Sequence, residues 1–118
     1  MNPPIDPVAA RERLAALLAK LEGDLALARD GARTVELDQT AVGRLSRMDA
    51  LQQQAMARAS VQRLEVQKRR IAAALDRVDA GTYGLCCACG GEVEAERLVR
   101  DATALFCAEC HAERGARA

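Results

Sequence analysis

From Ser46 to Ala80 the chain contains neither proline nor glycine, and most residues in that run are good helix formers. Val61, Leu64, Ile71, Leu75 and Val78 recur at alternating spacings of three and four, with Lys68 in the one polar slot. That rhythm is a coiled-coil seam. Upstream, Met48, Leu51, Ala55 and Ala59 carry an apolar line onward in a slightly shifted register. At about 1.5 Å per residue, such a helix is on the order of 50 Å long. A lone helix cannot bury its own seam, so a second helix has to cover it.

The partner is found at the start of the chain. Asp6 can cap free backbone N–H groups, and Pro7 suits a first helical position because it has no N–H to lose. Val8, Leu14, Leu17, Leu18, Leu21 and Leu25 then form a stripe at helical spacing. The pattern stops at Asp30-Gly31. Helices over about 7–29 and 46–80, joined by a tip over about 31–45, give an antiparallel helical hairpin spanning residues 1–82. The composition agrees: Tyr83 and Phe106 are the only aromatic residues, too few for a thick core, whereas alanine and leucine suit a narrow seam.

Gly81 is placed to close the long helix in a left-handed conformation. Residues 83–118 then form a second segment, holding two C-x-x-C pairs, Cys86/Cys89 and Cys107/Cys110, with 17 residues between Cys89 and Cys107. A C-x-x-C turn brings two sulfurs to one side of a tight loop, and two such turns supply the four tetrahedral ligands that zinc prefers. A four-thiolate site leaves no position for a reacting water, so one structural zinc is expected and catalysis there is not. Cys87 and His111 adjoin the set, but the paired cysteines already complete it, and both read as bystanders. Tyr83 and Phe106, just before the two pairs, read as a miniature core beside the metal. A short helix is expected at the C-terminus, which makes the fold mostly α.

Lysine plus arginine and aspartate plus glutamate number 17 each. This balance removes the simplest argument for non-specific binding to nucleic acid. No run approaches the roughly 18–20 apolar residues of a membrane span. Met1 to Asp6 has no basic stretch followed by an apolar one, so a cytoplasmic location is expected, where thiols serve as metal ligands rather than in disulfides. One histidine and no phosphate loop leave no enzymatic constellation.

The order hairpin, Tyr83-Gly84-x-Cys86-x-x-Cys89-Gly90, Arg97-Leu98, Cys107-x-x-Cys110 resembles the DksA/TraR family of bacterial transcription regulators. The resemblance implies direct binding to bacterial RNA polymerase, with the coiled-coil tip inserted into the secondary channel and no sequence-specific DNA recognition. Better-known members carry an Asp-x-x-Asp-x-Ala tip. Its register falls near Gly43, Ser46 and Met48 here, so the motif is not reproduced. Asp38, Arg44, Arg47 and Asp49 are the residues expected to act at the tip. Members responsive to guanosine tetraphosphate place basic residues near the second cysteine pair, where this chain has Asp101 and His111; no alarmone site is expected.

Two other classes remain beside the polymerase-binding regulator. Arg97, Arg100, Arg114 and Arg117 near the cysteines, with Arg63, Lys68, Arg69 and Arg70 on the helix, would serve a nucleic-acid-binding finger. A long helix that outreaches its partner would serve a zinc-stabilised adaptor, including a homodimer.

Overall fold

The computed structural model describes residues 6–41 and 47–117. Four helices account for most of them: α1 (Pro7–Ala41), α2 (Arg47–Ala80), α3 (Ala95–Arg100) and α4 (Ala108–Arg117). The fold is mostly helical, and the one β feature among the described residues is an isolated antiparallel bridge between Leu85 and Glu92.

Helix α1 begins as its sequence dictates. The Asp6 carboxylate accepts the Val8 N–H at 3.0 Å, and the Asp6 carbonyl accepts that of Ala10 at 3.0 Å. The expected end near residue 29 is corrected: α1 runs through Asp30-Gly31 to Ala41. An interior glycine costs a helix only about 1 kcal/mol against alanine, and local bonds oppose that cost. The Thr34 hydroxyl donates to the Asp30 carbonyl at 3.0 Å, and Arg33 pairs with the Asp30 carboxylate at 2.9 Å. Much of the expected tip, 31–45, is therefore helix, and helix resumes at Arg47. Helix α2 closes on Gly81, whose φ is +77°. The Gly81 N–H donates to the Val78 carbonyl at 3.2 Å and the Thr82 N–H to that of Arg77 at 2.9 Å, the paired bonds of a Schellman ending.

The described chain divides into two compact units. One combines the residues up to Leu17 with those from Arg70 onward; the other runs from Leu18 to Arg69. The cysteine segment thus shares a unit with the start of α1 and the end of α2, instead of beginning a separate one at residue 83.

In the first unit, Leu14 and Ala74 are fully buried, with Ala10, Ile71 and Val78 nearly so. Arg11 pairs with Asp79. A second small core holds Val93, Leu98, Cys86 and Cys107, against which Tyr83, Ala104, Phe106 and Cys110 pack.

In the second unit, Leu21 and Leu25 are buried on α1. Lys68 meets Glu22 at 3.8 Å and Arg29 meets Glu65 at 3.2 Å. Numbers rise along α1 as they fall along α2, so the helices are antiparallel. The α2 register differs from the expected upstream line: Met48 and Leu51 are 83% and 50% exposed, whereas Ala50 is buried. Buried or half-buried residues at 50, 54, 57, 61, 64, 68, 71, 75 and 78 make an unbroken alternation of four and three. The heptad is kept by small or polar residues, Ala50, Gln54 and Ala57, and larger side chains beside it face outward.

Candidate metal centre

The first cysteine pair sits in a loop shaped by two glycines with positive φ, Gly84 at +86° and Gly90 at +75°. An L side chain is strained in that region. The Cys86 N–H donates to the Gly91 carbonyl at 2.6 Å, and the Gly90 N–H returns to the Cys86 carbonyl at 3.0 Å. The Gly91 N–H then points at the Cys89 sulfur, 3.4 Å away. A Cβ at Gly91 would itself lie 3.4 Å from that sulfur, so the close approach is suited to glycine.

The second pair straddles the start of α4. The carboxylate of Glu94 accepts the Ala108 N–H at 3.0 and 3.3 Å, which caps the helix from a distant part of the chain. The Cys107 carbonyl accepts the His111 N–H at 2.9 Å. A bond from the Cys87 N–H to the Leu105 carbonyl, 2.8 Å, ties the two loops together.

These constraints bring the sulfurs of Cys86, Cys89, Cys107 and Cys110 within 4.8 Å of one another, with Cys89 and Cys107 3.9 Å apart. Zinc–sulfur bonds of about 2.3 Å give a tetrahedron whose edges are about 3.8 Å. The donor set therefore fits zinc with sulfur shifts of no more than about 1 Å, and one structural zinc is its cofactor.

The electrostatics point the same way. N–H groups of Cys107 and then Cys89 aimed at the Cys86 sulfur hold that thiol down to about 6. The neighbouring thiols of Cys107 and Cys86 push the Cys110 thiol up. At Cys89 the Gly91 N–H pulls down, but sharing with Cys86 and burial leave the thiol raised. Four sulfurs this close cannot all ionise until a cation neutralises them, which is the condition a structural zinc satisfies.

The other residues singled out by sequence fall into place differently. Cys87 and His111 are exposed, and neither belongs to the sulfur cluster. Arg47 and Asp49 are exposed in the first turn of α2. Asp38 lies within α1, its side chain outside the described residues, as is the whole of Arg44.

Arg13 had no signal in the sequence, and neither did the particular contacts that several other residues make around the site. Arg13, on α1, donates to the Leu98 and Val99 carbonyls at 2.6 and 2.7 Å, stapling the end of α3. Arg70 pairs with Asp101 at 3.0 Å. Arg97 donates to the Phe106 carbonyl at 3.2 Å, and the Tyr83 hydroxyl to that of Ala102 at 2.7 Å. The Arg114 guanidinium lies 4.2 Å from the centre of the Phe106 ring.

Residues 81–114 match the model of the prokaryotic dksA/traR C4-type zinc finger. No curated protein matches the sequence. Among solved structures, the chain is similar to that of the transcription factor DksA2 from Pseudomonas aeruginosa, with 21% identity and a TM-score of 0.83. The match covers 94% of this chain and 84% of that one, and at this identity it establishes the fold. Residues 81–114 thus form a finger of the dksA/traR C4 type, carried on a fold like that of DksA2.

Proposed function

We propose that this chain is a transcription regulator that binds bacterial RNA polymerase directly, inserting the region around residues 38–49 into the secondary channel. Cys86, Cys89, Cys107 and Cys110 hold the structural zinc. The observation that carries the reading is the fastening of the finger to the helix ends within one compact unit, through Arg13 and Arg70. Zinc then has a mechanical role, keeping the finger a rigid docking surface of fixed orientation on those helix ends. Asp38, Arg44, Arg47 and Asp49 supply the charged groups that reach the enzyme's interior. The chain itself is not an enzyme, and it acts in the cytoplasm.

The nucleic-acid-finger reading is weakened by the engagement of the basic residues it would need. Arg97 and Arg114 serve the finger's own framework, Arg70 is paired with Asp101, and Lys68 with Glu22. The adaptor reading retains one specific support: Leu27, Met48 and Met56 are exposed on the 18–69 unit, as a self-associating surface would require.

The test is co-purification of the tagged, zinc-loaded chain with host RNA polymerase, followed by transcription assays on Asp38→Ala/Asp49→Ala. Polymerase is expected to be retained by both forms and transcription altered only by the parent. If no polymerase is retained at low salt and sedimentation shows a concentration-independent dimer, the adaptor reading replaces this one.

A further inference from the structure

Helix α2 carries a second heptad line besides the one that faces α1. Within the 18–69 unit, Met48, Gln52, Ala55, Ala59, Gln62 and Val66 follow one another at alternating spacings of four and three. All six are exposed, Met48 at 83% and Val66 at 45%, and Leu51 and Met56 widen the apolar strip on either side. The buried seam runs two residues later along the chain. Two residues advance a helix by about 200°, so the second line lies nearly opposite α1 and is out of its reach.

The order along this line is apolar, Gln, Ala, Ala, Gln, apolar, which reads the same in both directions. A twofold axis between Ala55 and Ala59 therefore sets each member against its like in a second, antiparallel copy. Met48 then meets Val66, Gln52 meets Gln62, and Ala55 meets Ala59. An apolar stripe alone accepts any amphipathic helix, but a palindrome is complementary to itself. The central alanines allow a close approach, since the side chains at the contact set the distance between helix axes. Each glutamine amide has donors and an acceptor to exchange with its mate, and polar residues in a seam select one register over its neighbours.

Charge fits the same arrangement. Asp49 and Arg63 both lie on the Met56 side of the line, and both are exposed. The twofold that sets Met48 on Val66 brings Asp49 of one copy within about 3 Å, two residues' rise, of level with Arg63 of the other. Among the described residues Arg63 bonds a hydroxyl, that of Ser60 at 3.1 Å, and not a carboxylate. A parallel pairing would instead set Asp49 beside Asp49.

We propose that this outward line of α2 is the interface of a reversible antiparallel dimer of the chain, centred on Ala55 and Ala59 and framed by Asp49 and Arg63. With two alanines at its centre the contact is small, so the dimer is weak and concentration-dependent. The proposal does not rest on the polymerase reading, and its test uses the isolated protein.

That test is sedimentation equilibrium of the full, zinc-loaded chain over a range of concentrations. A monomer–dimer equilibrium is expected. Ala59→Glu, an exposed change that a helix accepts, is expected to leave monomer alone with helix content unchanged by circular dichroism. Asp49→Arg and Arg63→Asp are each expected to weaken the dimer about tenfold. The two together restore the parent's affinity, an outcome that a damaged fold cannot imitate. Only monomer up to about 1 mM chain overturns the proposal. So does a dimer that persists in Ala59→Glu, which would place the contact on another face, or a double reversal that fails to restore.

Discussion

The two units of this protein solve the same problem, too little apolar surface, by different means. The 18–69 unit is a two-helix seam in which Leu21 and Leu25 are buried and much of the rest is alanine, Val61 and Leu64. Its order is periodic and local, and each turn repeats the contacts of the last. The unit holding the cysteines keeps that repeat only at its helix ends, through Leu14, Ile71 and Val78, and its finger has none. Its small core around Val93 and Leu98 is completed by the metal-binding sulfurs themselves, and polar groups fix its parts: Arg13 on the α3 carbonyls, Glu94 at the start of α4, Tyr83 on Ala102. One unit depends on the sum of many modest burials, the other on a few irreplaceable bonds. A periodic seam therefore tolerates change gradually, whereas a metal-centred core fails at single atoms.

The sharpest break in that contrast comes from removing the metal. Structural zinc in small fingers contributes an apparent binding energy of about 10–16 kcal/mol, coupled to folding. Cys107→Ser, or a strong chelator, is expected to abolish amide protection across 83–110 while the amides of 18–35 and 50–69 keep theirs, as read by hydrogen-exchange mass spectrometry. Equal loss in both would mean that the units are not energetically distinct.

The converse substitution is Leu25→Ala, at a side chain with 1% exposure. A loss of about 2–5 kcal/mol is expected, seen in chemical denaturation, with zinc content still one ion per chain. Smaller again is Arg13→Ala. It leaves two carbonyls at the end of α3 without their charged donor, and the expected cost is about 1.5–3 kcal/mol, together with faster zinc release to a chelator. A seam-like response, with stability lowered but zinc release unchanged, would move Arg13 out of the finger's framework.

Acid should find the polar unit through Asp101. Burial opposes ionisation of this carboxylate, but the Thr103 hydroxyl and N–H and then Arg70 outweigh it and hold its pKa below the ordinary 3.8. The contribution is therefore present above that value and lost as pH falls through the lower folded one. The difference in melting temperature between the parent and Asp101→Asn is expected to be constant at neutral pH and to shrink below about pH 4. Least of all, Cys87→Ser is expected to leave zinc stoichiometry unchanged, since the exposed Cys87 lies outside the sulfur cluster.

The sequence is legible where one physical rule dominates. Helical periodicity carries α2 and most of α1, and the spacing of four cysteines carries the cluster, because both depend on intervals along the chain. It misleads at Gly31, where a weak propensity penalty looks like a stop. It misleads again at Met48 and Leu51, where size suggests burial while the heptad runs through Ala50. Arg13 and Glu94 are illegible for another reason. An exposed charged residue looks the same whether it faces water or caps a helix 14 or 85 residues away, and no local pattern encodes that distance.

That distance of 85 residues between Arg13 and Leu98 also sets an order of events during synthesis. The seam unit is one continuous stretch and can pair as soon as Arg69 is free of the ribosome. The finger's unit joins the start of α1 to residues made after Arg70, and such long-range closure is slow. Its last ligand, Cys110, emerges well after the seam is complete. Metal capture is thus expected to be a late step of maturation, which makes a nascent chain stalled before Cys110 a helix pair with a frayed, thiol-bearing end, readily recognised by quality control.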